Sequence, residues 1–490
     1  MNRALRRISI AVLVMFVLLL INDNYLQAFE ASSLSTKPGN GRAFAAQYQY
    51  QRGPIVTADG KTIAESKAVG GVYKYQRYYP DGAVYAPVTG YASLYGASGI
   101  EKAENALLSG TSSKLAIRNV VDMITGKQKK GATVQLTIDS RVQTAAYDAL
   151  KAQGRPGAVV ALNPKTGAIL AMASYPSYDP NELSVLNGTQ LDKNDHALLT
   201  DPAQPLLNRA IDATYPPGST FKIVTSSALL STGKYTPQTS VYSPNVLKLP
   251  QTTHELPNYN HEACGNGSGF APLITAFAQS CDTTFGYLGM KLGGNALKSM
   301  ADKFGMNSPS LTVPMPVAQS NYVVPPSAAL TADSAIGQYS DTVTPLQDAM
   351  FAAAIANGGT LMKPYLVQQA QASDLSVVQQ ASPSVLSTPV TPQVANEVKQ
   401  MMVQVVNSPI GTAHQVADNV IPGVQIAAKT GTAQNGVNNT GLDDAVFTCF
   451  APAANPTIAV GVVIQGGGFG ASAAGPIAVS VLKSYLEHSG

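Results

Sequence analysis

The sequence predicts an α+β fold in which one sheet is built from strands at both ends of a domain. Apolar strand-like segments come early, as in GAVVALNPKTGAILAMASY from Gly157, and again late, as in TIAVGVVI from Thr457. Between them, about residues 219 to 360 are rich in Ala-dominated segments with helical periodicity. Because strands that share a sheet must meet in space, we expect the helical part to be an insertion between them.

Length and composition limit the class of protein. A chain of 490 residues is too long for one ordinary core, so two or three domains are expected. The formal net charge is +3 and only 12% of residues are charged, which argues against nucleic-acid binding. A hydrophobic content of 45% indicates a globular chain rather than a disordered one.

The N-terminus has the pattern of a membrane anchor. Three arginines among the first seven residues precede the uncharged run ISIAVLVMFVLLLI, which starts at Ile8. The run is short for a spanning helix and also fits a signal peptide, but no small-x-small cleavage site follows it. We therefore predict an uncleaved, single-pass anchor in residues 1–30, with the N-terminus cytoplasmic and everything after it extracytoplasmic.

The rest of the chain divides by composition. Residues 31–51 are polar and predict a linker. Residues 52–130 contain short Gly- and Tyr-rich segments, such as RYYPDGAVYAPVTGY, which predict strands and turns without a catalytic cluster. In VQLTIDSRVQTAAYDAL a strand is predicted to end near Asp139 and a helix to follow it. This change from short, turn-rich segments marks a domain boundary, and we assign residues 131–490 to one large domain.

A single lysine lies in the otherwise uncharged stretch YPPGSTFKIVTSSALL from Tyr215. The residues around Lys222 leave only a narrow polar stripe, so this helix is predicted to be buried on most sides. Burial of an ammonium is costly unless the group is paired or its pKa falls. Ser219 lies one turn earlier on the same face, within reach of such an amine, as in serine nucleophiles activated by lysine. The alternative is that Lys222 extends to the surface.

Ser-x-x-Lys and Lys-Thr-Gly each occur twice, and their order along the chain distinguishes the copies. Serine acyl enzymes with a lysine base carry Ser-x-x-Lys first, a second hydroxyl later and a lysine-bearing strand last. This order is met by Ser219–Lys222, Ser280–Asp282 and Lys429–Gly431, the first, second and third motifs. Lys165–Gly167 is instead predicted to be a hairpin turn, and Ser480–Lys483 part of the terminal helix.

Three longer segments resemble the active-site motifs of class B penicillin-binding proteins. They are NRAIDATYPPGSTFK from Asn208, SCDTTF from Ser280 and AAKTGTAQ from Ala427. The likeness runs from residue 52 to the end and is strongest to the actinobacterial penicillin-binding protein A subgroup. It implies a serine beta-lactamase/transpeptidase-like domain, with a five-stranded antiparallel sheet flanked by helices and a helical subdomain. It also implies a smaller, mainly-β, N-terminal pedestal domain.

The resemblance implies a peptidoglycan D,D-transpeptidase that crosslinks stem peptides through a serine acyl enzyme and is acylated by beta-lactams. Ser219 would attack the carbonyl between two terminal D-alanines, with Lys222 as general base, kept neutral by burial and nearby positive charge. Ser280 would pass a proton to the leaving D-alanine, and Lys429 would raise the local potential. No cofactor is implied.

The strand with the third motif is expected to bind the substrate. Thr430 and Thr432 would hydrogen-bond its terminal carboxylate, with Gly431 between them. The oxyanion would lie between the backbone N–H groups of Ser219 and Thr432, each typically contributing ~3 kcal/mol.

One residue departs from the family pattern. The second motif is usually Ser-x-Asn, and Asp282 stands in place of the amide. An ionised Asp only accepts hydrogen bonds, so it would pair with Lys222 or Lys429 and lose the donor that normally meets the substrate carbonyl. The alternatives are a retuned active site and a non-catalytic sensor that binds beta-lactams or peptidoglycan.

Cysteine and histidine residues predict a disulfide and no metal site. The chain has three cysteines in an oxidising compartment, so at least one is unpaired. We hypothesise a disulfide between Cys264 and Cys281, the nearer pair in sequence. His254, His261 and Cys264 match no tight zinc pattern and predict a structured loop near the cleft.

Enzymes with related active sites differ in the residues and pockets that they require. A class A beta-lactamase relies on a glutamate between the second and third motifs, and this chain has no Glu between Glu262 and Glu397. A D,D-carboxypeptidase is an alternative, since water and an amine acceptor differ only in pocket detail. The expected partners are peptidoglycan stem peptides, beta-lactams, a membrane glycan polymerase of the SEDS family, and divisome or elongasome proteins.

Overall fold

A computed structural model describes residues 3–30, 47–115, 128, 130–309, 311–434 and 441–487. The strands of the described part are β1 Ile55–Val56, β2 Thr62–Ala68, β3 Tyr75–Tyr78, β4 Thr133–Leu136, β5 Gly157–Leu162, β6 Ile169–Tyr175, β7 Ser240–Tyr242, β8 Val246–Lys248, β9 Glu255–Pro257, β10 Phe270–Pro272, β11 Leu361–Met362, β12 Val367–Gln371, β13 Val377–Gln380, β14 Val385–Ser387, β15 Ala427–Ala433, β16 Asp444–Ala451 and β17 Ile458–Ile464. Its α-helices are α1 Arg3–Tyr25, α2 Gly82–Thr89, α3 Gly99–Ala103, α4 Asn105–Leu108, α5 Ser140–Gln153, α6 Gly188–Thr200, α7 Lys222–Ser231, α8 Leu273–Ala278, α9 Asp282–Leu292, α10 Gly294–Lys303, α11 Ala328–Ser334, α12 Pro345–Ala356, α13 Pro392–Asn407, α14 His414–Ala417, α15 Gly470–Ala473 and α16 Gly475–Leu486.

The predicted α+β fold is confirmed, and its central sheet is antiparallel and five-stranded. The strand order is β15-β16-β17-β5-β6. Strand β17, late in the chain, pairs with the early strand β5, from Ala459 opposite Leu162 to Ile464 opposite Gly157. The chain between these early and late strands supplies α6 to α14, as the insertion hypothesis requires.

Helices cover both faces of this sheet because side chains alternate along each strand. On one face, Thr448 of β16 donates from Oγ1 to the backbone oxygen of Asp348 on α12 at 3.0 Å. On the other face, the ring of the neighbouring Phe447 lies against Gly475 at the start of α16, where a Cβ would be 3.4 Å from it. Helix α16 also packs on α5. In the described part of the chain, helices therefore cover both faces of the central sheet.

The predicted hairpin between β5 and β6 is confirmed. The two strands pair antiparallel, and the turn closes with Gly167 N donating to Asn163 O at 2.8 Å. Gly167 has a φ of +81°, which glycine adopts without strain. The early Lys-Thr-Gly copy is thus a turn, and the later Ser-x-x-Lys copy, Ser480–Lys483, lies in α16.

The N-terminal region forms a second sheet that later parts of the chain complete. Its strand order is β13-β12-β4-β1-β2-β3, with β1 and β4 parallel. Strands β4, β12 and β13 come from beyond residue 130, so the sheet extends across the predicted domain boundary. The prediction of strands and turns in RYYPDGAVYAPVTGY is wrong for residues 82–89, which form α2. Helix α2 buries Tyr85 and Val88 and packs on β6, and this tertiary contact outweighs local preference.

A buried ion-pair cluster holds the N-terminal region together. Glu101 is fully buried, and its two carboxylate oxygens pair with the guanidinium groups of Arg52 and Arg77. Burial alone would raise the pKa of Glu101, but the two adjacent positive charges hold it below its usual value. Removing either arginine would leave a buried charge poorly compensated, so this cluster is sensitive to substitution.

The N-terminal helix is a candidate membrane anchor. Helix α1 continues into a π-helical turn at Leu26–Glu30. Residues Arg6–Tyr25 have a mean hydropathy of 2.0, and none of this stretch is buried inside the protein. It is long and apolar enough to cross a membrane. The predicted linker, residues 31–51, lies outside the described residues as far as residue 46.

One carboxyl group is buried beneath the central sheet. Asp348 of α12 is fully buried, and within the described part of the chain neither of its side-chain oxygens has a hydrogen-bond partner. Burial raises the pKa of Asp348 to about 7, although the nearby Thr220 hydroxyl opposes the rise. Burial, and secondarily the Asp348 charge, raises the pKa of the Cys449 thiol on β16. The charged form of Asp348 is therefore costly to the fold.

We predict that Asp348→Asn stabilises the protein more at about pH 8 than at about pH 5. The pKa of Asp348 in the folded protein lies above the ordinary value of 3.8, so its contribution to stability is complete below pH 3.8 and is lost as the pH rises through about 7. The Tm difference between variant and wild type should be larger at about pH 8 than at about pH 5, by roughly 2 °C or more, in differential scanning fluorimetry.

The matched control is Asp148→Asn, at an exposed position of α5. Its Tm difference from wild type should be the same at both pH values. A Tm difference for Asp348→Asn that does not change with pH would contradict the assignment of a buried carboxylate.

Candidate active site

The first motif lies where a tight turn packs directly on the edge strand of the central sheet. A 3-10 turn, Gly218–Phe221, continues into α7. Gly218 has a φ of +51°, and a Cβ there would be 2.8 Å from Thr432 O. On the strand, a Cβ at Gly431 would be 3.0 Å from Pro217 O. Glycine is required on both sides because the two backbones approach too closely for a side chain.

The amine of Lys222 is the centre of the site. The side chain is fully buried, and Nζ lies 2.9 Å from Ser219 Oγ and 3.1 Å from Ser280 Oγ. Nζ is also 2.7 Å from Ser280 O and 2.6 Å from Asp282 Oδ1. The structure thus brings Ser219 and Lys222 of the first motif together with Ser280 and Asp282 of the second. Lys222 does not extend to the surface.

Burial is what favours the neutral form of this amine. A neutral amine has two protons and one lone pair. It can donate to the Ser280 carbonyl and the Asp282 carboxylate, which only accept, and its lone pair can then accept the Ser219 proton. Burial lowers the pKa of Lys222, although the Asp282 carboxylate opposes this. The charged group bonded to Lys222 is the Asp282 carboxylate.

Lys429 approaches the second motif from the strand side. It is fully buried, and its Nζ donates to Ser280 Oγ at 2.8 Å and to Thr430 O at 2.9 Å. Burial holds the pKa of Lys429 well below its usual value, and a positive charge on Lys222 lowers it further whenever that amine is protonated. A lowered pKa weakens the positive potential expected from Lys429. The Ser280 hydroxyl lies between the amines of Lys222 and Lys429, which is the position expected for a proton relay.

Asp282 pairs with Lys222, and the structure gives no equivalent bond to Lys429. Its side chain is 20% exposed, so the Asp282 carboxylate lies at the cleft wall and not in the core. Asp282 is the first residue of α9, where the positive end of the helix dipole favours a carboxylate. The residue that replaces the usual amide is thus held as an acceptor by both its lysine partner and its helix.

The third motif lines the open side of the cleft. Thr430 and Thr432 lie on β15 and, with Ser219 and Ser280, border a cavity of about 960 Å³. Thr430 is 2% exposed, and its Oγ1 is 2.7 Å from Thr412 Oγ1. Thr412 lies between α13 and α14 and carries no motif, so the sequence contained no signal for it.

Ser280 has an unusual backbone conformation that the sequence did not indicate. Its φ is +60°, in the left-handed region that is uncommon for residues other than glycine. The turn is held by Ser280 N donating to Phe277 O at 3.0 Å and Cys281 N donating to Ala276 O at 2.8 Å. Such strain persists where surrounding structure maintains it, commonly at functional sites.

A loop ahead of the second motif forms another wall of the cleft. In the structure a disulfide joins Cys264, at the end of this loop, to Cys281. The loop is also held by Thr283 N donating to Asn258 Oδ1 at 3.0 Å. His254 and His261 line the same cavity. Among the described residues, no group of three or more His, Cys, Asp or Glu side chains could hold a metal ion.

Comparison with known proteins gives a consistent result. Residues 157–483 match the penicillin-binding protein transpeptidase domain, and residues 52–134 match the penicillin-binding protein A dimerisation domain. The chain is 42% identical over 482 residues to the peptidoglycan D,D-transpeptidase PbpA of Mycolicibacterium smegmatis, covering 97% of this chain and 96% of that protein. Identity to PbpA of Mycobacterium tuberculosis is 41% over 500 residues, with 99% of each chain covered.

Solved structures agree with this. The ceftriaxone acyl-enzyme complex of M. tuberculosis penicillin-binding protein A superposes with a TM-score of 0.86 at 39% identity, covering 90% of this chain and 100% of that one. The penicillin G acyl-enzyme complex of the same protein gives a TM-score of 0.84 at 40% identity, covering 89% and 100%.

The disulfide can be tested by alkylation and intact-mass measurement. In denaturant without reductant, iodoacetamide should add once, at Cys449, the free cysteine of the structure. After reduction it should add three times, because the chain has three cysteines. Three additions without reductant would show that Cys264 and Cys281 are not bonded.

Proposed function

The chain belongs to the penicillin-binding protein transpeptidase family, and we propose that it crosslinks peptidoglycan as a D,D-transpeptidase with Ser219 as nucleophile. The observation that carries this proposal is the contact of Lys222 Nζ with Ser219 Oγ at 2.9 Å in a fully buried setting. A buried amine beside a serine hydroxyl is a general base and nucleophile pair. The substrate is the D-Ala-D-Ala end of a stem peptide.

Acylation begins with the neutral amine of Lys222 taking the Ser219 proton. Ser219 Oγ attacks the carbonyl between the two terminal D-alanines, and the C–O bond forms as the carbonyl becomes an oxyanion. The backbone N–H groups of Ser219 and Thr432 are the proposed oxyanion donors, each typically contributing ~3 kcal/mol. The close packing of the Gly218 turn on Thr432 O supports this pairing.

Collapse of the oxyanion breaks the peptide bond, and the leaving amine needs a proton. Ser280 Oγ is 3.1 Å from Lys222 Nζ and 2.8 Å from Lys429 Nζ, which supports its role in passing the Lys222 proton to the D-alanine amine. Thr430 and Thr432 border the same cleft and are proposed to hold the terminal carboxylate. Lys429, buried behind them, is proposed to raise the local potential.

The second half of the reaction reverses the proton path. The amine of a second stem peptide attacks the ester carbonyl, gives up a proton to Lys222, and forms the crosslinking amide as Ser219 regains its hydroxyl proton. Beta-lactams enter the same path because their strained amide resembles D-Ala-D-Ala. The lactam ring opens as the ester forms on Ser219.

The remaining proposals concern the location of the enzyme and its partners. Helix α1 is proposed as the anchor, with the arginines before it cytoplasmic and the cleft extracytoplasmic. The N-terminal sheet and its helices contain none of the motif residues, which supports a role in protein contacts. We assign the expected partners to this region: a membrane glycan polymerase of the SEDS family, and divisome or elongasome proteins.

The nucleophile is tested by intact-mass measurement after exposure to penicillin G. Wild-type protein should gain one covalent adduct, and Ser219→Ala should lose acylation by about 10³-fold or more. Ser480→Ala is the matched control, because it removes the serine of the second Ser-x-x-Lys copy in α16 and should acylate like wild type. An adduct on Ser219→Ala at the wild-type rate would disprove the assignment.

The role of Asp282 is tested by the pH dependence of acylation. Lys222 acts as a base only when neutral, and the Asp282 carboxylate favours its charged form. Asp282→Asn should therefore lower the pKa of Lys222 and move the acid limb of the acylation profile to lower pH. The measurement is the second-order acylation constant with penicillin G as a function of pH.

Asp333→Asn serves as the control, because Asp333 borders the cleft but has no bond to Lys222 among the described contacts. It should leave the acid limb in place. An acid limb that stays fixed, or moves to higher pH, in Asp282→Asn would contradict the proposal that the Asp282 carboxylate raises the pKa of Lys222.

A further inference from the structure

The edge of the central sheet beside Ser219 presents backbone groups to the cleft. Strand β15 is the outermost strand, paired on one side with β16. Thr432 O points to the other side, because it lies 2.8 Å from the position of a Cβ on Gly218. An exposed strand edge accepts an extended peptide by forming backbone hydrogen bonds with it. An acyl donor in the cleft would therefore be expected to direct an amide N–H at Thr432 O.

In the structure that oxygen already accepts a hydrogen bond from the enzyme itself. The side-chain amide of Gln338 donates from Nε2 to Thr432 O at 3.4 Å. Gln338 is half-buried and borders the cavity together with Ser219 and Thr432. This strand-edge acceptor is thus engaged by the enzyme's own amide group.

The segment that carries Gln338 is held in place independently of this side chain. Gly218 N donates to Gly337 O at 3.0 Å, and Gln338 N donates to Asp333 O at 3.0 Å. A Cβ at Gly337 would be 2.8 Å from the Phe221 Cβ, so the segment packs tightly on the turn of the first motif. Because the backbone is fixed by other bonds, the Gln338 side chain can leave Thr432 O without unfolding the turn.

We propose that Gln338 is a specificity-determining residue that occupies Thr432 O until the amide N–H of an acyl donor displaces it. The proposal rests on the function proposed above. A donor with an amide N–H next to the reacting carbonyl replaces one hydrogen bond with another, whereas a donor without this group leaves Gln338 where it is. Donors with this amide N–H must break the Gln338 hydrogen bond before they form their own. Gln338 therefore reduces the difference in acylation rate between donors with and without the N–H.

Two beta-lactams provide the test. Penicillin G carries an acylamino N–H beside the lactam carbonyl, and imipenem carries a hydroxyethyl group there. Gln338→Met keeps the length of the side chain but removes the donor. In the full-length protein, this variant should raise the second-order acylation constant for penicillin G about two- to tenfold and leave that for imipenem unchanged. Both constants are measured by intact mass over time.

Two further variants make the result decisive. Gln338→Leu also removes the donor and should give the same selective change, which guards against a folding defect of one variant. Tyr339→Phe alters the neighbouring side chain, keeps the Gln338 amide, and should change neither constant.

Each other outcome overturns the proposal. A loss with both drugs would mean that Gln338 supports the turn of the first motif, and an equal gain with both would mean general opening of the cleft. No change with either drug would mean that the 3.4 Å contact has no effect. If the wild type were acylated by neither drug, the proposed function itself would fail, and that result is read before any variant is compared.

Discussion

The whole site depends on one buried amine and the groups that determine its protonation. Lys222 has no contact with bulk water, so its charged form is costly, yet Asp282 lies 2.6 Å away and favours that form. These two effects oppose each other across a single nitrogen. The same nitrogen is within hydrogen-bonding distance of Ser219 and Ser280. Small changes in charge around Lys222 are therefore transmitted directly to the nucleophile and to the proposed proton relay.

The geometry around this amine is produced by close backbone packing and not by flexible side chains. The turn that carries Ser219 lies against β15 with glycine at both Gly218 and Gly431, so the nucleophile and the strand edge keep a constant separation. The second motif is positioned by a strained Ser280 and by the disulfide of Cys281 to Cys264. Three segments far apart in sequence are thus fixed relative to one another by backbone contacts and one disulfide.

Asp282 shows how one substitution in a motif changes the electrostatics without changing the architecture. A carboxylate at this position accepts a hydrogen bond from Lys222. It is also stabilised by the positive end of the α9 helix dipole. It cannot donate to a substrate carbonyl as an amide would.

The sequence by itself determined the α+β fold, the hairpin at Asn163–Gly167 and the three ordered motifs, because periodicity, turn residues and motif order are local or linear properties. It did not indicate α2, the strands that β12 and β13 add to the N-terminal sheet, or the contact of Thr412 with Thr430. It left open which lysine Asp282 would bond. Only the tertiary structure decided these points, because each depends on burial and on distances between groups that the chain brings together from remote positions.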